Sequence, residues 1–287
     1  MRKSVLVFDA GGKYLHRIGK MGDGPGEYSA LSDFTLDETT GNLYLLTNPS
    51  EIYAFDSNGS YLFKTKISNS MLWNIGYDKG NFICSSNHLT YTSGDDAFLF
   101  YSFDHSLDLL NKGVSVHSEQ IYTPLLISSP FMKWRDGLYY FDNYFNTIYT
   151  FDNGDAFPVC KIDFDSPMPT EYFLDTSLFM SKQRNYDYVV DVSLSANSLL
   201  IAYIHSGKHY TALFDMATRR IVANGVTKGM LPPIYGNGDV LYSPISAEHY
   251  LSYWQHLNDY LKTSVSFDNN PLLLKWKLKE RVLTQGN

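Results

Sequence analysis

The sequence predicts an all-β chain: a six-bladed β-propeller of four-stranded antiparallel blades, with an incomplete first blade and one inserted helix near the C-terminus. Three observations predict it. Phe-Asp pairs close apolar strands at Phe8-Asp9, Phe55-Asp56, Phe103-Asp104, Phe151-Asp152 and Phe214-Asp215, and the aspartates stand 47, 48, 48 and 63 residues apart. Near-equal intervals of that length match one four-stranded blade. The chain holds 23 Tyr and 18 Phe, which with frequent Asn, Asp, Ser and Gly suits strands joined by tight turns. Its 287 residues also fit one β domain, read here as spanning 1–287.

The first repeat (1–19) carries its Phe-Asp pair near the start, whereas later repeats place two inner strands before it. The chain is therefore expected to be truncated within that blade, the other reading being an atypical closure of the ring by the terminal strands. The second repeat (31–67) reads as Leu31–Leu36, a Gly41-Asn42 turn, Leu43–Leu46, Glu51–Phe55, the turn Asp56-Ser57-Asn58-Gly59, and Tyr61–Ile67. Asn-Gly between strands signals a hairpin because both residues tolerate positive φ. The third (72–116) and fifth (187–226) repeats are looser copies. The fourth (125–164) gives Phe131–Trp134, Gly137–Phe141, Thr147–Phe151, the turn Asp152-Asn153-Gly154-Asp155, and Val159–Phe164. The long interval holds its excess at 166–185, where Pro167-Met168-Pro169-Thr170-Glu171 opens a stretch without strand alternation. An inserted loop or short helix is expected there.

The sixth repeat (231–284) is interrupted. Gly238–Tyr242 reads as a strand, and Ser246 caps an inserted helix to about Lys262, within 246–264. Tyr250, Trp254, Leu257 and Leu261 fall on one face of that helix and are expected to pack against the propeller. In the last strand, Leu272–Leu278, Leu274, Trp276 and Leu278 alternate with Lys275, Lys277 and Lys279.

Composition excludes several classes. Apolar residues at 44% and charged residues at 18% rule out a disordered chain. A formal charge of -7 argues against a nucleic-acid partner, since phosphates call for surplus Lys and Arg. No run approaches the ~18 apolar residues of a membrane-spanning helix. Cys84 and Cys160 lack zinc-type pairing and are expected as two packed thiols. The apolar run Ser4-Val5-Leu6-Val7-Phe8 is too short for the core of a secretory signal.

The Gly19–Gly26 stretch has no Gly-Lys-Ser/Thr ending and no helix behind it, so it is not assembled for phosphate. It is expected as a tight inter-blade crossing built from Gly22, Gly24, Pro25, Gly26 and Glu27, with Pro25 fixing φ and Glu27 accepting backbone N–H groups. His205 and His209 flank Ser206-Gly207-Lys208, a hairpin turn; no carboxylate or third His lies close in sequence, so a solvated tip is expected rather than a metal site. His249 and His256 lack an HExxH pattern. The Asp-rich turns lack the later bidentate Glu of calcium loops, and there is no Gly-x-Ser-x-Gly elbow. No catalytic residue, metal site or cofactor is assigned.

The stretch Gly12-Lys13-Tyr14-Leu15-His16-Arg17-Ile18-Gly19-Lys20-Met21-Gly22-Asp23-Gly24-Pro25-Gly26-Glu27-Tyr28 resembles the six-bladed propellers common in Bacteroidetes, which are NHL-repeat-like and TolB-like and largely uncharacterised. The closing Asn270-Pro271-Leu272-Leu273-Leu274-Lys275-Trp276-Lys277-Leu278-Lys279 resembles that family's final strand. Asn146-Thr147-Ile148-Tyr149 and Lys161-Ile162-Asp163-Phe164 fit its fourth blade. The resemblance spans nearly the whole chain but departs at the N-terminus, where relatives carry a signal or lipoprotein segment. It implies a propeller of the periplasm or cell surface more firmly than any activity.

Propellers bind at the ring face formed by the loops between second and third strands and between blades. The candidates there are Asn48, Asn87, His88, Asn143, Tyr144 and His205, with the 166–185 insertion; Asn, His and Tyr at a channel mouth suit a polar ligand. The leading expectation is a non-catalytic module presenting this face to a protein, peptide or glycan. The alternative is a propeller enzyme (lactonase, lyase or glycan-active hydrolase) with a metal or carboxylate site in the channel. A pure scaffold is the third.

Overall fold

The computed structural model describes residues 4–9, 11–68, 71–86, 98–116, 130–195, 197–226, 235–237, 240–253 and 272–277. Strands β1 (Val5–Phe8) and β2 (Tyr14–Ile18) form a hairpin, and β3 (Lys20–Met21) pairs in parallel with β4 (Glu27–Tyr28). Four sheets of four strands follow. They are β5 (Leu31–Leu36), β6 (Leu43–Thr47), β7 (Glu51–Phe55) and β8 (Tyr61–Lys66); then β9 (Asn74–Asp78), β10 (Asn81–Ser85), β11 (Phe98–Phe103) and β12 (Leu109–Ser115). Next come β13 (Phe131–Trp134), β14 (Gly137–Asp142), β15 (Thr147–Asp152) and β16 (Asp155–Lys161); then β17 (Tyr188–Ser195), β18 (Ser198–His205), β19 (Lys208–Asp215) and β20 (Arg220–Val226). A last sheet joins β21 (Tyr235–Asn237), β22 (Val240–Ile245) and β23 (Leu272–Lys277). In every sheet each strand bonds to its neighbour in chain order. Successive four-stranded antiparallel sheets fit a propeller-like fold.

The recurring Phe-Asp pair has a local cause. At Asp9, Asp56 and Asp104 one carboxylate oxygen accepts the N–H groups two and four residues on, at 2.8–3.0 Å. The aspartate's own N–H donates to the carbonyl four residues on, at 2.9–3.0 Å, which closes the turn into the last strand of its sheet. Such a side chain stands in for a backbone turn partner. Just past each turn the outer strand slips register, leaving Leu15, Leu62 and Leu110 in β-bulges, each about half exposed. A bulge twists the outermost strand away from edge-to-edge pairing. The β13–β16 sheet differs: the turn between β15 and β16 has two residues, Asn153 (φ 49°) and Gly154 (φ 89°). Two successive left-handed residues reverse the chain at once, so β16 begins at Asp155 rather than at the expected Val159.

Contacts group the chain into two compact units. One comprises Met1–Tyr122 with Tyr149–Val159, the other Thr123–Ile148 with Cys160–Asn287. Within the first, Leu46, Ile52, Leu72, Ile75, Phe82, Cys84, Tyr101 and Phe103 form one buried cluster, and Ile18, Tyr28, Leu31, Leu43, Leu45, Tyr53 and Phe55 form another. Within the second, Met132, Phe141, Ile148, Val189, Val192, Leu194, Leu199, Ile201 and Ala212 pack together. There β21 passes so close to β17 that a Cβ on Gly236 would collide with the Leu194 carbonyl oxygen. Cys84 and Cys160 are both free thiols; burial pushes both up from the ordinary thiol range.

The insertion is helical. A 3-10 turn at Thr170–Leu174 leads into α1 (Thr176–Lys182), and a second 3-10 turn spans Gln183–Asn185. Asp175 caps α1 by accepting the N–H groups of Ser177 (2.8 Å) and Leu178 (3.0 Å). Phe173 and Phe179 are its buried anchors. The second helix, α2, covers Ala247–Tyr253 with Tyr250 fully buried; Trp254, Leu257 and Leu261 lie outside the described residues, as does the helix's expected extension to Lys262.

Candidate functional site

In the first unit, the end of β6 and the starts of β5 and β9 form one polar corner. Asn48 follows β6, its N–H donating to the Ala30 carbonyl (3.2 Å), and precedes a cis Pro49. Ser50, buried, accepts the Leu72 N–H on Oγ (2.9 Å), which ties this turn to the approach of β9. Buried Asp33, at the bulge of β5, accepts from Ile75 N–H (3.2 Å) and Asn74 Nδ2 (3.4 Å). Three side-chain atoms at this corner are buried without a hydrogen-bond partner among the described residues: Asn48 Oδ1, Trp73 Nε1 and Asn74 Oδ1. Buried polar atoms are paired in the great majority of cases. Here one donor and two acceptors are left unmet at the same end of two sheets. Asn48 was legible as a candidate; Trp73 and Asn74 were not, although a Trp-Asn pair heading an apolar strand was there to be read. Asn87 and His88 lie outside the described residues.

In the second unit the candidates divide. Asn143 and Tyr144 are buried in the β14–β15 turn, where the Tyr144 N–H donates to Asp142 Oδ1 (3.0 Å). The Tyr144 ring meets Phe173 of the insertion edge-on at 5.4 Å, Phe173 meets Phe179 at 5.8 Å, and Phe179 meets Tyr188 at 5.5 Å. This chain of rings pins the insertion over the β14–β15 turn and the head of β17. His205 instead reaches solvent: its side chain is 51% exposed, while Asp187, whose Oδ1 lies 2.8 Å from His205 Nδ1, is 7% exposed. Asp187 is fixed in turn by its backbone, donating to the Ser166 carbonyl (2.8 Å) and accepting from Met168 N–H (3.0 Å). No carboxylate near His205 in sequence announced this pair, since 18 residues separate the partners.

The glycine-rich crossing folds around Glu27. Lys20 Nζ donates to Glu27 Oε1 (2.7 Å) and Gly24 N–H to Oε2 (3.0 Å). The Lys20 bond first, then the Gly24 amide, hold this carboxyl below its usual range. The Gly22 N–H donates to the Tyr28 carbonyl (3.1 Å), Pro25 lies exposed between Gly24 and Gly26, and Gly26 takes φ 74°. These groups satisfy one another. Elsewhere, buried Asp191 sits past a bulge in β17 and accepts the Val192 N–H (2.8 Å); burial pushes its pKa up to about 7. Among the described residues no three His, Cys, Asp or Glu side chains gather as a metal ion would need.

The family model of a domain of unknown function (DUF4934) matches residues 1–277. No match is found among curated proteins. Among solved structures, a Bacteroides fragilis protein assigned as exported aligns with a TM-score of 0.73 at 20% identity, over 96% of this chain and 85% of that one. BamB from Moraxella catarrhalis aligns at 0.48 and 12% identity over 85% and 65%, and U3-55K at 0.48 and 9% over 84% and 68%. The first likeness is one of fold.

Proposed function

This chain belongs to the DUF4934 family, and from that premise we propose that it is a binding module of the bacterial cell envelope. It is a six-bladed propeller whose second-to-third-strand loops face a polar ligand, a peptide or a glycan. The observation that carries the reading is the corner of Asn48, Trp73 and Asn74, where a buried indole N–H and two amide oxygens lack partners among the described residues. An unmet buried polar group costs about 1–3 kcal/mol. A ligand that meets several such groups recovers that cost as affinity. Export is supported by the fold shared with the Bacteroides fragilis protein, and no described helix is long and apolar enough to cross a membrane.

The test is a thermal-shift panel of oligosaccharides and short peptides on the purified chain, followed also through the Trp73 share of the tryptophan emission, taken as the difference between the parent and Trp73→Phe, since the chain holds four Trp. A ligand of the native state raises Tm by mass action. The expected result is a saturable rise with at least one member, lost in Trp73→Phe, which keeps an aromatic ring and removes the donor. A panel that leaves both Tm and Trp73 emission unmoved overturns the reading.

A further inference from the structure

The β18–β19 hairpin tip holds polar groups that the corner described above does not use. His205 and Lys208 are direct cross-strand partners on either side of Ser206 (φ 49°) and Gly207 (φ 70°). Tyr203 and Tyr210 form the next such pair on the same face. Their rings stack at 5.4 Å, and His205 meets Tyr210 edge-on at 5.6 Å. Behind the tip stands Arg184: a Cβ on Gly207 would lie 3.3 Å from both its Cβ and its Cγ. Arg184 and Lys208 make no ion pair among the described residues.

The Asp187 carboxylate can only accept, so in the neutral imidazole Nδ1 carries the hydrogen and Nε2 is left as an acceptor on a half-exposed side chain. Lys208 is its cross-strand partner, the stem of Arg184 lies against Gly207 of the same turn, and the Tyr210 ring is 5.6 Å from the imidazole. A carboxylate would satisfy the cations but meet the Nε2 lone pair. A sugar hydroxyl donates and accepts at one atom, and a sugar's carbon face suits a tyrosine ring.

We propose that this tip is a saccharide-binding subsite: His205 Nε2 accepts a hydroxyl hydrogen, Arg184 and Lys208 donate to sugar oxygens, and Tyr210 carries the apolar face of the ring. The subsite rests on the binding-module reading and names its ligand class. Asp187 is its positioning residue, fixing which imidazole nitrogen faces out.

The experiment labels the histidines of the full chain with 15N and reads the His205 tautomer from long-range 1H–15N correlations, assigned by His205→Ala. Cellohexaose, maltohexaose, xylohexaose and hexaglutamate are then titrated. The expected result is an Nδ1–H tautomer whose nitrogen signals move with at least one neutral hexasaccharide. Loss of one such hydrogen bond weakens that sugar about fivefold, so His205→Ala and Asp187→Asn each show about that change, the latter with an altered tautomer. Lys208→Gln, on an exposed side chain, weakens it about two- to threefold without disturbing the fold. Hexaglutamate moving His205 while the sugars do not overturns the saccharide assignment. A sugar or peptide that perturbs Trp73 but not His205 removes the subsite and leaves the binding module. No response at either residue removes both.

Discussion

Gly12, Gly59 and Leu107 hold the same place in three turns, with φ of 84°, 84° and 67°. A left-handed conformation costs a residue with a Cβ roughly 1–2 kcal/mol. Leu107 sustains it because its side chain packs against the cluster around Phe103, and part burial of a leucine contributes a similar amount. An alanine has no such return. Gly59→Ala is expected to lower stability by about 1–2 kcal/mol in urea denaturation, the more so because the new Cβ lies 3.2 Å from Ile18 Cγ1. Asp191 poses a different problem. It is buried in β17, and burial outweighs the Val192 N–H that it accepts, so the carboxyl titrates near pH 7 rather than near 4. The native state then holds a proton that the unfolded chain has released. The stability contributed is whole below about pH 4 and falls as pH rises toward 7, by on the order of 3–4 kcal/mol. Asp191→Asn keeps an acceptor for Val192 and is expected to flatten that slope, leaving the variant more stable than the parent at pH 8. A variant no more stable at pH 8 would contradict this.

Among elements, those legible in the sequence are those fixed by local chemistry. The turns at Asp9, Asp56 and Asp104 close through bonds spanning two to four residues, so a Phe-Asp spacing announced the hairpins, and β5, β13 and β17 begin within a residue or so of where alternation placed them. The start of β16 was misjudged because Asp152-Asn153-Gly154-Asp155 looks like a four-residue turn until both central φ values are known. The β22 strand likewise runs Val240–Ile245, beyond the expected Tyr242, since Pro244 occupies a position where sequence alone stops a strand. What was not legible depends on approach across tens of residues: Asp187 against His205, and Asn74 against Asp33, which are 41 apart. The insertion lies between these cases. Its lack of alternation was visible, its ring contacts were not. Phe173 is 2% exposed between Tyr144 and Phe179, so Phe173→Ala is expected to cost about 3–5 kcal/mol, measured by urea denaturation. A loss below about 1 kcal/mol would mean that the insertion rests loosely on its sheet.

For the molecule as a whole, two sets of carboxyls oppose each other. Asp56 and Asp215 are held below their usual range, chiefly by the Ser60 and Thr218 amides, as Glu27 is by Lys20. Their folded values lie below the unfolded ones, so the stability they lend is present above about pH 4 and lost as acid protonates them. Asp191 works in the reverse sense, losing its contribution between about pH 4 and 7. Thermal melts across pH 3–9 are expected to peak near pH 5, and a peak above pH 7 would count against Asp191 as the dominant group. The sequence pI is about 5.6, so the pH of greatest fold stability lies close to that of least net charge and least solubility. Finally, because each sheet is built only from strands consecutive in the chain, the gene carries it as one uninterrupted stretch. A single in-frame duplication or deletion of about forty-eight codons would add or remove a whole sheet with its turns intact. Sheet number can thus change in one heritable step, while the sequence of each sheet drifts on its own.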